Sequence, residues 1–197
     1  MVPKSMREAR RARRKKQQTI RKIIWTTGGI ILVIIIGYVS WALFKPTAGE
    51  SVPIMANAGD HVPTGTNPGP YNSDPPTSGK HYAEEFDAGF YELTDAKAQQ
   101  EFPEGYLNHN LEHGYVIFWY NSDLLDEAGC SELKDQIKGV MNDFDNYKVI
   151  GFPRNSIEYP ISMTSWGRIQ NFDSFDAEAA SAFVRKNRNH APEPNAS

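Results

Sequence analysis

The sequence has little cysteine and few recognisable cofactor motifs. Cys130 is the only cysteine among 197 residues, so an intramolecular disulfide is impossible and stability must come from a packed core. The chain has no CxxC or CxxCH pair, no glycine-rich phosphate loop and no internal repeat. These absences argue against dithiol redox chemistry, covalent haem attachment and nucleotide binding through a phosphate loop. We expect Cys130, which stands before a predicted helix, to be a small and partly buried residue.

Charge is missing from one long stretch of the chain. Ile23 to Phe44 contains 22 residues without a single Asp, Glu, Lys or Arg. As a helix it would extend about 33 Å, enough to cross a hydrocarbon core of about 30 Å. The stretch is longer than the apolar region of a signal peptide and ends without a small-x-small cleavage site, which favours an uncleaved anchor. We therefore predict a single transmembrane helix over residues 23–44, in contact with the lipid bilayer.

Charges of opposite sign lie on either side of this stretch. Residues 1–22 hold ten Lys or Arg and only one acid, whereas residues 45–197 hold 11 basic and 23 acidic side chains. The positive-inside rule predicts a cytoplasmic N-terminal tail and an extracytoplasmic C-terminal domain in the cell membrane. Ten cations beside a membrane span indicate topology and contact with anionic lipid, and they do not indicate nucleic-acid binding. The acidic C-terminal part favours solubility and attraction of cations.

Composition divides the chain into five segments. We predict a basic tail at 1–22, the membrane helix at 23–44, a linker at 45–58, a domain at 59–190 and a tail at 191–197. The domain begins with an irregular Pro- and Gly-rich segment, and such a long loop in a compact domain is usually functional. Apolar patterns then predict four helices, at 94–100, 106–113, from Ser131 onward and at 174–189. They also predict three strands, at 115–120, 147–152 and 161–166, and therefore an α+β fold with a single small sheet and flanking helices.

Four of the five histidines fall within 53 residues, at His61, His81, His109 and His113. In a helix His109 and His113 share a face, so both imidazoles can bind one ion, whereas in a strand they would stand about 13 Å apart. Because two ligands are insufficient for zinc, His81 on the stiff Pro-Pro-Thr-Ser-Gly loop and His61 are expected to complete the site. Imidazole ligands suit copper or zinc ions, which are the expected cofactors.

Two other interpretations remain open. His109-x-x-Glu112-His113 matches the HxxEH pattern of some zinc metallopeptidases, in which the glutamate is the general base, so a small zinc-dependent hydrolase would use Glu112. Alternatively the domain is a non-catalytic interaction subunit of a membrane complex, and its histidines are structural. Met163 could add a soft ligand for copper, but its place within a predicted strand indicates a core residue.

Several motifs occur together along the exported part: PPTSGxH ending at His81, GxY ending at Tyr91, HxLEHGYV from His109, TxWGR around Trp166 and Arg168, and a closing APE. Together they resemble the uncharacterised bacterial domain-of-unknown-function family 3105, over about residues 59–193. The resemblance implies a membrane-anchored extracytoplasmic domain. It marks Tyr91, Trp166 and Arg168 as further binding positions, beside the motif residues His81, His109, Glu112 and His113.

Overall fold

The structure is a computed structural model that describes residues 4–44 and 48–196. The chain divides into two units, Met1–Pro46 and Thr47–Ser197. The first unit is one long helix, α1 (Lys4–Phe44), and within it Ile20–Gly37 has a mean hydropathy of 1.8 and is not buried. By length and composition α1 can cross a membrane, as an anchor or as part of a signal sequence. The remaining predicted residues of the tails and linker, 1–3, 45–47 and 197, lie outside the described residues.

The second unit contains a single mixed sheet of six strands with helices on both sides, which confirms the predicted α+β fold. Its elements in chain order are β1 (Glu50–Ser51), β2 (Gly89–Phe90), α2 (Glu104–Glu112), β3 (Val116–Tyr120), a short 3-10 helix (Ser122–Leu124), α3 (Glu127–Asp143), β4 (Val149–Pro153), β5 (Ile161–Ser165), β6 (Arg168–Phe172) and α4 (Ala177–Asn187). The strand order is β1-β6-β5-β3-β4-β2. Strand β4 runs parallel to β2 and β3, while the other neighbouring pairs are antiparallel.

Side chains alternate between the two faces of the central strand β3, as the pleat requires. Val116, Phe118 and Tyr120 face α3 and α4 and belong to one apolar cluster, to which α4 contributes Phe183. Ile117 and Trp119 face the other way, into a second cluster that includes Leu107 and Leu111 of α2. All five β3 side chains are fully buried, which explains why the sequence over 116–120 is continuously apolar.

Two predictions about secondary structure are wrong, and three strands were missed, the two-residue β1 and β2 and the longer β6. Residues 94–100 form turns and not a helix. Helix α3 begins at Glu127 and not at Ser131, because Asp126 caps it by accepting a hydrogen bond from the Gly129 N–H. Strand β6 was not predicted, since its polar residues lack a clear apolar alternation. It follows β5 after a tight turn in which Gly167 has a φ of +66°.

That turn separates Trp166 and Arg168, two of the predicted further binding positions. Trp166 lies in the turn and packs against the second apolar cluster, whereas Arg168 begins β6 opposite Ser51 of β1. Tyr91 packs in the same second cluster as Trp166, and its N–H donates to the Gly151 carbonyl at 2.8 Å. The structure thus places Tyr91 and Trp166 among packed aromatic side chains and Arg168 at the β1–β6 edge.

Candidate metal centre

The site is formed where the Pro-rich loop meets α2. A parallel β-bridge joins His61 to His81, and its hydrogen bonds run from Val62 N to His81 O at 2.8 Å and from His81 N to Asp60 O at 3.2 Å. This bridge closes the loop of residues 61–81 at its base. The two imidazoles are therefore brought together by backbone pairing, although 20 positions separate them in the sequence.

Asn72 holds the tip of this loop in place. Its side-chain oxygen accepts from the N–H groups of Thr77 and Ser78, both at 3.2 Å, and its amide nitrogen donates to their two hydroxyl oxygens at 2.7 and 2.9 Å. Thr77 and Ser78 are fully buried, so these bonds satisfy groups that water cannot reach. Gly79 has a φ of +142°, and a Cβ there would lie 2.8 Å from the Tyr71 ring. The PPTSG motif is thus a rigid support for His81, and the role of Asn72 in organising it was not predicted.

Helix α2 is held close to the loop by another glycine contact. A Cβ on Gly105 would lie 2.3 Å from the Tyr82 ring, and the Tyr82 N–H donates to the Gly105 carbonyl at 3.0 Å. The first turn of α2 therefore packs directly on the residue that follows His81. About one turn after Gly105, His109 lies next to the His61–His81 pair.

Four side chains converge at this point, and we call them the ligand group: His61, His81, His109 and Glu112. Each offers one nitrogen or oxygen atom, and these atoms all lie within 4.8 Å of one another. The centroids of the three imidazole rings are 4.9, 5.2 and 5.1 Å apart, so the rings form a nearly equilateral triangle. His81, His109 and Glu112 are buried, whereas His61 is exposed and gives the group its contact with solvent.

His81 and Glu112 place two potential metal-binding atoms close together. His81 Nδ1 lies 3.0 Å from the Gly79 carbonyl, which can only accept, so Nδ1 carries the proton and donates it there. Its Nε2 lies 3.0 Å from Glu112 Oε2, yet within the described part of the chain this buried nitrogen has no partner with hydrogen-bond geometry. The two atoms are near neighbours that are not aimed at each other. With the proton on Nδ1, the His81 Nε2 and the Glu112 oxygen both present lone pairs, and a cation between them would satisfy both.

His109 is held neutral by its surroundings. Burial, followed by the neighbouring imidazoles of His113, His81 and His61, lowers the pKa of His109 to about 4. A neutral imidazole is the form that binds a metal ion. Its Nδ1 is buried without a hydrogen-bond partner among the described residues, and its Nε2 lies 3.0 Å from His113 Nε2.

His113 lies beside the ligand group and is not one of its four members. It caps the C-terminal end of α2, so the i, i+4 spacing does bring its ring to that of His109, with centroids 4.3 Å apart. Its Nδ1 contacts Glu85 Oε2 at 2.8 Å, an arrangement that directs Nε2 toward His109. Glu85 was not predicted as a site residue, and Glu112, predicted only as a catalytic base, occupies the position in the group that His113 was expected to fill.

The other histidine, the cysteine and Met163 lie outside the ligand group. His190, the fifth histidine, is exposed, and its Nδ1 contacts the Lys186 carbonyl. Cys130 is half-buried with its Sγ 2.7 Å from the Ser122 hydroxyl, and Met163 is fully buried in β5.

Comparison with known proteins gives a family but no activity. The family model described as "Protein of unknown function (DUF3105)" matches residues 54–197. The chain belongs to this family. No curated protein and no solved structure matches it. The matched region includes every member of the ligand group, so the site lies within the part of the chain that defines the family.

Proposed function

We propose that the second unit of this DUF3105 protein binds one transition-metal ion through the ligand group, and that α1 holds it at a membrane. The observation that supports this most directly is the pair formed by His81 Nε2 and Glu112 Oε2, which are 3.0 Å apart without a hydrogen bond. Burying His81 Nε2 without a hydrogen-bond partner is costly, and an ion bound between it and the Glu112 carboxylate would remove this cost. The role would be to handle or sense metal at the outer face of the membrane.

The donor set favours zinc or cupric ion. Three imidazoles and one carboxylate are borderline ligands that both ions accept, and zinc sites of this kind are tetrahedral with ligand distances of about 2.0–2.2 Å. Such a geometry separates ligand atoms by roughly 3.4 Å, so small side-chain rotations would close the group around an ion. Met163 and Cys130, which are donors of the soft type that selects cuprous ion, are not members of the ligand group.

The location is proposed from charge and hydropathy. An uncleaved α1 with its basic N-terminal end in the cytoplasm would place the acidic C-terminal part, with 23 acids against 11 basic residues, outside the membrane. Its negative charge would raise the local concentration of divalent cations. A stable partner within a membrane complex stays a prediction, and co-purification of the tagged chain from detergent-solubilised membranes would test it.

The direct test measures metal in the full-length chain, purified in detergent with an affinity tag that contains no histidine. We expect about one equivalent of zinc or copper by elemental analysis after dialysis against buffered metal. A variant with both His81→Ala and His109→Ala should lose at least about 100-fold in affinity, since two ligands are removed. His190→Ala is the matched control, because it removes an exposed histidine outside the ligand group. Equal binding by the double variant and the control would refute the proposal.

Hydrolysis is a second candidate function, favoured by the arrangement of three imidazoles beside one carboxylate. Three histidines are sufficient to hold a catalytic zinc, and Glu112 would then accept a proton from a zinc-bound water instead of binding the ion. Glu112→Gln separates the two roles. A variant that keeps its metal but loses hydrolysis of an activated ester would support the hydrolase, whereas weakened metal binding would support Glu112 as a ligand.

A further inference from the structure

The C-terminal segment runs across the end of α2 that carries the site. After α4 the Asn189 N–H donates to the Gly114 carbonyl at 2.8 Å, and the Glu193 N–H donates to the Glu112 carbonyl at 3.1 Å. The approach is close, because a Cβ on Gly114 would lie 2.7 Å from Asn189 Cα. We call residues 191–196 the strap. Its backbone is thus hydrogen-bonded to a member of the ligand group.

A buried lysine fixes the strap in this position. Lys148 is 7% exposed, and its Nζ donates to the His113 carbonyl at 2.8 Å and to the Pro194 carbonyl at 2.7 Å. A buried ammonium requires such acceptors, so it links the end of α2 to the strap. Both Lys148 and Asn189 have a positive φ, of 51° and 64°. Non-glycine residues in this conformation cost free energy, and such residues cluster at functional sites.

The strap brings a third carboxylate to the site. Glu193 Oε2 lies 3.8 Å from His113 Nε2, which in turn lies 3.0 Å from His109 Nε2. The first distance is too long for a hydrogen bond. Glu193 thus lies beside the imidazole that contacts His109, without being bonded to it. Because Glu85 holds Nδ1 of His113, the Nε2 atom that contacts His109 is also the one that Glu193 approaches.

We propose that the strap is the closing element of the metal site and that Glu193 supplies a carboxylate oxygen to the ion beside His109 and His113. The inference rests on the proposed metal binding and describes how entry and release of the ion are regulated. The ion enters past the exposed His61 and is retained by the strap. Glu193 is 60% exposed at the side chain, so it can swing away without unpacking the core. Displacement of this carboxylate would then speed release of the metal from the ligand group without unfolding of the loop.

The experiment uses the full-length chain in detergent, loaded with Zn²⁺, and measures the rate of zinc release to an excess of a chromogenic chelator. Glu193→Gln should release zinc about 10-fold faster, the usual scale for loss of a ligand or its supporting group. Lys148→Met, which keeps the stem but frees the strap, should give a similar rate and faster hydrogen exchange in residues 191–196. Glu158→Gln, an exposed acid outside the site, is the matched control.

Cobalt substitution gives a second readout, because the intensity of its visible absorption bands depends on coordination number. Loss of the Glu193 oxygen should change these bands in Glu193→Gln and leave them unchanged in Glu158→Gln. If Glu193→Gln releases zinc within twofold of the control with the same cobalt spectrum, the strap has no role in binding, and the proposed function stands on the ligand group alone. If the wild-type chain takes up no zinc, the proposed function fails and this inference fails with it.

Discussion

The two faces of the sheet are built from different chemistry. On one face α3 and α4 cover an apolar cluster of Val, Ile, Leu, Met and Phe side chains. On the other, α2 and the Pro-rich loop bury polar side chains beside the apolar ones, including Thr77, Ser78, His81, Asn108 and Glu112. Apolar burial stabilises a fold, whereas each buried polar group costs free energy unless it is paired. From this difference we expect the α3–α4 face to provide most of the stability, while the α2 face contains the candidate metal site.

The largest expected effect follows from truncating a buried side chain in the apolar cluster beneath α3 and α4. Phe183 of α4 is fully buried, so Phe183→Ala should lower the free energy of unfolding by about 3–5 kcal/mol. Denaturant unfolding followed by near-ultraviolet circular dichroism measures this loss. Leu124→Ala, at a side chain that is 48% exposed, is the control and should change stability little. The folded fraction of Phe183→Ala should still bind metal with wild-type affinity, and a selective loss of metal binding would contradict the assignment of stability to this face.

The second effect should be specific to the α2 face. If the ligand group binds zinc, free zinc at 100 times its dissociation constant should stabilise the folded chain by about 2.7 kcal/mol, and chelation should remove this gain. The gain should persist in Phe183→Ala and disappear in the double variant with His81→Ala and His109→Ala. Thermal unfolding with and without zinc tests both statements. An equal gain in the double variant would place the ion elsewhere.

Asn110 tests how far the α2 face depends on its polar network. It is fully buried on α2, accepts from the Phe86 N–H at 3.1 Å and donates to the Phe86 carbonyl at 2.8 Å. Asn110→Ala leaves both backbone groups unpaired, so we expect a loss of about 1–3 kcal/mol in unfolding free energy. Because Glu85 precedes Phe86 and orients His113, zinc affinity should fall as well. Asn142→Ala, on the exposed side of α3, should change neither quantity appreciably.

Sequence patterns predicted the α3–α4 face better than the α2 face. Apolar residues at helical spacing, such as Leu133 and Ile137, mark the buried side of α3, and the continuous run over 116–120 marks a buried strand. These signals arise because burial of each residue is set by its own position in a regular element. Strand β6 escaped prediction since its position is fixed by pairing with β5, a long-range contact that leaves little trace in local hydropathy.

The site was predictable only in part, for a similar reason. The i, i+4 spacing anticipates the contact of His109 with His113, and the rigid loop anticipates a fixed His81. The choice of Glu112 over His113 depends on where the loop stands relative to α2, which Tyr82 and Gly105 determine through packing. Asn72, Glu85 and Lys148 act through contacts with residues distant in sequence, and no motif of the chain connects them. Glu193 belongs to the APE motif, but its sequence neighbours give no sign of its contact with His113.

The smallest effect concerns the helix caps of the apolar face. Asp126 caps α3 by accepting from the Gly129 N–H at 2.8 Å, and its replacement by Ala should cost about 1 kcal/mol in unfolding free energy. Asp135→Ala, at an exposed position in the middle of the same helix, should instead stabilise by a few tenths of a kcal/mol, about the difference in helix propensity. Zinc affinity should be unchanged in both variants, since neither residue contacts the α2 face. A cap variant that lowered zinc affinity and folding stability by similar free energies would show that the two faces are coupled. Stability and metal binding could then not be assigned to separate faces of the sheet.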